Sequence, residues 1–128
     1  MTRGVFDASA VIALLRDEPG AQFLEDFAGE SLISAVNLQE VVKAMLVHGY
    51  PTKIVQEMLA QLELEVMAHK ENDAWAAAEL AAATRKKGSG LGDRSCMALA
   101  IREGLPAITT DKAWTELDIP GLTVILAR

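Results

Sequence analysis

The chain has 128 residues, with 12 Lys and Arg against 18 Asp and Glu, a formal net charge of −6 and 51% hydrophobic residues. That length suits a single domain over residues 1–128, able to bury roughly two-thirds of its unfolded surface. The acidity argues against a conventional nucleic-acid-binding protein with a basic face, no apolar run approaches the ~20 residues of a membrane span, and the N-terminus lacks a signal peptide's regions; a soluble, cytoplasmic protein is expected.

Arg3-Gly4-Val5-Phe6 is a short apolar run that stops at Asp7 and passes through Ala8-Ser9-Ala10 to Val11-Ile12-Ala13-Leu14-Leu15, which reads as a strand, an acid and a helix. In an open α/β sheet that acid stands at the strand's C-terminal edge, where such sheets place their chemistry. Asp17-Glu18-Pro19-Gly20 marks a break. Ala21 to Phe27 gives a short helix with Phe23, Leu24 and Phe27 on one side, and Ser31 to Ser34 a second strand. From Val36 the positions Val36, Leu38, Val41, Val42, Met45 and Leu46 recur at helical spacing, ending at Gly49-Tyr50-Pro51. A further amphipathic helix carries Ile54, Val55, Met58, Leu59 and Leu62, and Leu64 to Met67 reads as a third strand. The two helices form a hairpin; because Leu38 and Val47 fall away from the Val41, Val42, Met45 stripe, it should keep apolar surface exposed, an interface signal.

Asn72 is the expected cap of the next helix, which carries Trp75 and Leu80 and closes with Arg85-Lys86-Lys87 before a Gly88 stop. Ser89-Gly90-Leu91-Gly92 leads to Asp93 and a helix through Ile101, containing Cys96, a small buried residue that with only His48 and His69 cannot build a soft-metal site. Ala107-Ile108-Thr109 reads as a fourth strand meeting Asp111, a helical turn holds Trp114 and Leu117, and Leu122 to Leu126 supplies the last strand. Strands separated by helices imply parallel pairing and right-handed crossovers, so a sheet covered on both faces.

Asp7 and Asp111 then stand at or just past strand ends, Asp93 at a helix N-terminus, and Glu40 about one helical turn past the second strand, so all four can meet at one edge of the sheet. Each has a purely structural explanation: Asp7, Asp93 and Asp111 are suitable N-caps, and Asn37-Leu38-Gln39-Glu40 could be a capping box. Together they are costly, since two carboxylates ~4 Å apart repel by ~4 kcal/mol at an effective dielectric near 20. A bound cation relieves that repulsion, and oxygen-only ligands select Mg²⁺ or Mn²⁺. Such an ion suits phosphoryl chemistry. Gly88 to Gly92 follows a helix and lacks the P-loop Lys, and Ser9 stands where a haloacid-dehalogenase phosphatase needs a second Asp, so neither class fits.

Val5-Phe6-Asp7-Ala8-Ser9-Ala10, Asn37-Leu38-Gln39-Glu40, Leu91-Gly92-Asp93-Arg94 and Thr109 to Trp114, in that order and spacing, resemble the signature of PIN-domain ribonucleases over the whole chain, most closely the VapC toxins of bacterial toxin–antitoxin pairs. The resemblance implies a PIN-like three-layer α/β/α sandwich with a five-stranded parallel sheet in the order 3-2-1-4-5. It also implies a Mg²⁺-dependent endoribonuclease site acting on RNA, a cognate antitoxin and a homodimer. By position Asp7, Glu40, Asp93 and Asp111 match the family's catalytic, metal-binding acids, and Ser9 and Thr110 match supporting hydroxyl positions. Arg94 departs from the pattern, standing where relatives often carry a small or apolar residue; with Lys112 it is a candidate RNA contact beside a site acid. A non-catalytic PIN-fold binding module, its acids serving as caps, is the alternative.

Overall fold

The structure, a computed structural model, describes residues 3–84 and 90–127. Strands β1 (Val5–Phe6), β2 (Leu32–Ser34), β3 (Glu65–Met67), β4 (Ala107–Thr109) and β5 (Val124–Leu126) pair in parallel in the order β3-β2-β1-β4-β5. Helices α1 (Ala8–Leu15), α2 (Ala21–Glu25), α3 (Ala35–Val47), α4 (Thr52–Leu62), α5 (Glu71–Glu79), α6 (Ala81–Thr84) and α7 (Leu91–Glu103), with a 3-10 turn (Lys112–Glu116), fill the connections. This is the architecture and strand order expected from the sequence.

Successive strand residues face opposite sides of a sheet, and that alternation divides the interior in two. Phe6, Ile33 and Ile108 enter one core with Val11, Leu24, Val41, Met45 and Val55 from α1 to α4. Val5, Leu32 and Ala107 enter the other with Cys96, Met97 and Leu99 of α7 and Trp114 of the 3-10 turn. Both faces of the central strands are thus covered, each large side chain contributing about 1.5–3 kcal/mol by leaving water. Among the described residues no helix is long and apolar enough to cross a membrane.

Several element boundaries differ from the sequence reading, each for a local reason. Helix α3 begins at Ala35 because Ser34, not Asn37, caps it, its hydroxyl accepting the Val36 N–H at 3.2 Å. Asn72 is not a cap: α5 starts at Glu71, and Asp73 accepts the Lys70 N–H at 2.8 Å. Burial pushes the Asp73 carboxyl up, but that N–H and the Arg102 guanidinium paired with it outweigh burial and hold it below its ordinary value. Helix α7 begins two residues before Asp93. The Arg85-Lys86-Lys87 run and the Gly88 stop lie outside the described residues. On the α3–α4 hairpin, Met45 is fully buried and Leu38 packs against the core, so the exposed apolar surface consists of Leu46, Ile54 and Val47, the last 77% exposed.

One turn holds the sheet's last strand against α2. Gly20 has φ +98°, and a Cβ placed there would lie 2.4 Å from the Ala127 carbonyl oxygen. Gly29 has a similar φ of +97° with open space around it. Left-handed backbone alone costs a non-glycine residue about 1–2 kcal/mol, so Gly29→Ala should lower stability by that amount and Gly20→Ala by clearly more. Urea denaturation of the two variants checks this; equal losses would mean the Gly20 contact with Ala127 is unimportant.

Candidate active site

Parallel strands bring the ends of β1 and β4 together, and Asp7 follows β1 directly. Its backbone N–H donates to the Ile108 carbonyl at 3.0 Å, and its side chain, 3% exposed, caps α1 by accepting the Ala10 N–H at 2.8 Å. Ser9 donates to the same oxygen, Oδ1, at 2.7 Å, and Thr109 donates to Oδ2 at 2.5 Å. The hydroxyls are themselves tied to the β4 end: Ser9 Oγ accepts the Thr110 N–H at 3.1 Å and Thr109 Oγ1 the Asp111 N–H at 3.0 Å. Of the two threonine hydroxyls, the one that reaches the central carboxylate is therefore that of Thr109, and Thr110 contributes only its backbone N–H, to Ser9.

Burial pushes the Asp7 carboxyl up to about 6, against the pull of these three hydrogen bonds, and the charge of Asp93 adds to the rise. Asp93 occupies the third position of α7, where it accepts the Gly90 N–H at 3.2 Å. Its carboxyl is also raised, by partial burial and then by the Asp111 charge, with the Gly90 N–H and Arg94 opposing. Asp111 lies exposed on the rim and caps the 3-10 turn, accepting the Ala113 N–H at 3.0 Å.

Glu40 approaches from α3, nearly two turns past β2. Buried Asn37 aims its amide at both sides of the cleft, donating to Glu40 Oε1 and to the Gly92 carbonyl, each at 2.9 Å. The Glu40 carboxylate lies so close over Gly92 that a Cβ there would fall 2.1 Å from Oε1. The α3 and α7 backbones meet through that contact, which a side chain at residue 92 would open. Cys96, buried one turn further along α7, reports the combined field: burial raises its thiol well above the ordinary value, and Asp7, Asp93 and Glu40 each raise it further. Three acids thus act on one point, and Asp111 acts on one of the three.

The capping explanation holds for Asp7 and Asp111, whereas Asp93 closes a capping-box bond from within its helix and Glu40 takes no capping role. Ser9 sits within the group. Arg94 lies beside Asp93, and Lys112 begins the 3-10 turn on the exposed rim. Sequence reasoning missed Thr109, Asn37 as a bridge and Gly92 as a close-approach position; the Thr109-Thr110-Asp111 run was the available signal for the first. Among the described residues no three acids, histidines or cysteines are grouped closely enough to form a ready ligand cage. What fits a cation is the donor chemistry: oxygen-only carboxylates at one sheet edge, with Asp7 raised by Asp93 and Asp93 by Asp111, suited to Mg²⁺, which takes one or two carboxylates and keeps waters.

A carboxyl that binds its proton more tightly in the folded chain than in the unfolded one stabilises the fold when protonated. For Asp7 that contribution is complete below its ordinary value of 3.8 and is lost as pH rises through about 6, a change of at most about 3 kcal/mol. Asp7→Asn cannot titrate, so without metal its stability relative to wild type should grow between pH 4 and pH 7. Urea titrations of both proteins in chelator give the difference directly, and a pH-independent gap would show that Asp7 is not a buried charge.

Among curated protein sequences none matches this chain. Solved structures similar to it include a chain of a toxin–antitoxin complex from Klebsiella pneumoniae, with TM-score 0.73 and 21% identity, covering 98% of each chain. Another is a chain of VapBC-5 from Mycobacterium tuberculosis, with TM-score 0.63 and 24% identity, covering 98% of this chain and 99% of that one. A third comes from DNA-bound VapBC of Salmonella typhimurium, with TM-score 0.70 and 19% identity over 100% of both chains. The family profile of the PIN domain matches residues 4–120, nearly the full length and all four acids, and the chain belongs to the PIN-domain family.

Proposed function

We propose that this protein is a metal-dependent endoribonuclease, the toxin of a VapBC-type toxin–antitoxin pair acting in the cytoplasm. PIN domains are generally nucleases. The observation that carries the reading is the shared field of Asp7, Glu40 and Asp93 at one sheet edge, with Asp7 kept nearly dry at a cost in stability. A fold has no need to bury a carboxylate in the field of its neighbours unless a cation is to offset it.

In this reading Asp7, Glu40 and Asp93 hold Mg²⁺ or Mn²⁺, and Asp111 completes the site from the rim. The bound ion supplies polarisation of a phosphate oxygen and a lowered pKa for a water. The chain's residues supply order. Ser9, Ala10 and Thr109 fix the Asp7 carboxylate, and Asn37 fixes Glu40. The water oxygen bonds to phosphorus as the bond to the 3′ oxygen breaks; the water's proton passes to Asp111 and on to solvent, and the 3′ oxygen takes a proton from solvent. The products are a 3′-hydroxyl and a 5′-phosphate.

The three structures described above are toxin–antitoxin assemblies, which supports an antitoxin partner for this chain. A cavity of about 310 Å³ lined by Ile33, Leu38, Leu59, Leu64 and half-exposed Val66 suits an amphipathic helix laid beside the edge strand. The exposed Leu46 and Ile54 support a homodimer. Light scattering should give twice the monomer mass, and a monomer at all concentrations would remove the dimer from this proposal.

That Asp7 and Asp111 cap helices favours one other reading, a binding module whose acids are structural. One experiment separates the two. The purified protein should cleave single-stranded RNA with Mg²⁺ and not with EDTA, and Asp7→Asn or Asp93→Asn should each lower the rate about 100-fold or more. Free metal ~100-fold above its dissociation constant should add ~2.7 kcal/mol of stability, and the Asp7→Asn, Asp93→Asn double variant should not respond. RNA left intact together with a melting curve indifferent to millimolar metal would support the binding module.

A further inference from the structure

Helices α1 and α3 each follow a parallel strand directly, so both start at the acid edge and run away from it side by side. A groove of about 400 Å³ lies between them, floored by Ala8, Ile12 and Ala44 and walled by Glu40 and Lys43. It ends at Val47 and His48, and His48 also lines a second cavity of about 210 Å³ with Arg16, Tyr50 and Pro51. The eight residues of α1, Ala8–Leu15, correspond to about 12 Å of helix, room for more than one nucleotide beyond the reacting phosphate.

The far cavity has the chemistry of a nucleotide subsite. Arg16 Nη1 stands 3.3 Å from His48 Nε2, and its pairing with Glu18 at 3.4 Å is a solvent-exposed contact that contributes little, so the guanidinium can turn to a phosphate. Half-buried Tyr50 and the His48 ring offer flat faces of the kind on which unpaired bases stack. Lys43 lies midway, one turn beyond Glu40. Cations thus follow the groove outward from the acids, as a polyanion leaving a negatively charged site requires. This continuity with the acid site favours a nucleic-acid strand over an acidic peptide.

We propose that the α1–α3 groove carries one arm of a single-stranded RNA away from the acids, and that Arg16, His48 and Tyr50 bind a nucleotide at its far end. This rests on the ribonuclease reading above, and the controls separate the two. The probe is a short fluorescein-labelled single-stranded RNA titrated in EDTA, where it stays intact, with anisotropy read at several salt concentrations. Arg16→Gln should weaken binding roughly ten-fold and reduce the salt slope by about 0.7, one phosphate contact on a single strand. His48→Ala should weaken it too, while Lys53→Gln, exposed on α4 and lining neither cavity, should not. In Mg²⁺, Arg16→Gln should raise KM and leave kcat unchanged. If wild type binds and cleaves RNA but Arg16→Gln and His48→Ala leave affinity, salt slope and KM unchanged, the subsite is wrong and the nuclease stands. If Arg16→Gln leaves RNA binding intact and instead releases a co-purified protein partner, the groove is a protein site and the proposal falls. Wild type that neither binds nor cleaves RNA overturns both.

Discussion

The constraint on which the rest of the structure depends is the burial of the Asp7 carboxylate at the end of the central strand. An ionised carboxylate out of water is tolerated only when hydrogen bonds or charge replace its solvation. Here the replacements come from two segments remote in sequence: Ser9 and Ala10 from the turn into α1, and Thr109 from the end of β4. The same hydroxyls accept the N–H groups of Thr110 and Asp111, so the chain leaving β4 is positioned by the chain leaving β1. Satisfying one charge fixes the β1–β4 junction and, with it, the point from which Asp111 enters the rim.

The acids therefore serve local structure and the site with the same atoms. Asp7 and Asp111 cap helical segments, and such caps contribute ~1 kcal/mol each, while the burial and mutual repulsion that raise Asp7 and Asp93 work against the fold. That balance explains why the site tolerates neighbouring carboxylates without a cage already closed around a cation. It also gives Gly92 its place: α3 and α7 approach through the Glu40 carboxylate, and only a residue without a side chain leaves it room.

The parallel pairing and the two-sided core were legible because they rest on strong, redundant signals, whereas the strand order followed from the family resemblance. Apolar runs two or three residues deep alternate with helices, and parallel pairing follows from those crossovers. What escaped was set by side-chain direction and not by residue type. Thr109 and Thr110 are adjacent and chemically identical, and only the pleat of β4 decides which hydroxyl faces Asp7. Asn72 and Asp73 have equal capping chemistry, yet Asp73 accepts the Lys70 N–H, because the neighbouring Arg102 of α7 fixes its carboxylate. Asn37 looked like half of a capping box, but Ser34 had already ended the strand, which freed the Asn37 amide to cross to α7. In each case a contact distant in sequence decided between candidates that local propensity ranks as equals.

The net charge is a coarser guide than the local field. Twelve basic residues against eighteen acids suggest a surface hostile to RNA, but the total hides where the charges lie. Four of the acids meet at one edge, where a bound cation would neutralise much of them, and without them the remainder of the chain is close to balance. Exposed charges separated by more than a Debye length, about 10 Å at moderate salt, scarcely influence one another. A polyanion therefore responds to the local field along its path and not to the sum over the protein. Along the α1–α3 groove that field turns from acidic at Glu40 to basic at Lys43 and Arg16 within a few helical turns. On the proposed reading an acidic total is expected, since the acids gathered at that edge are the ones that would hold the metal.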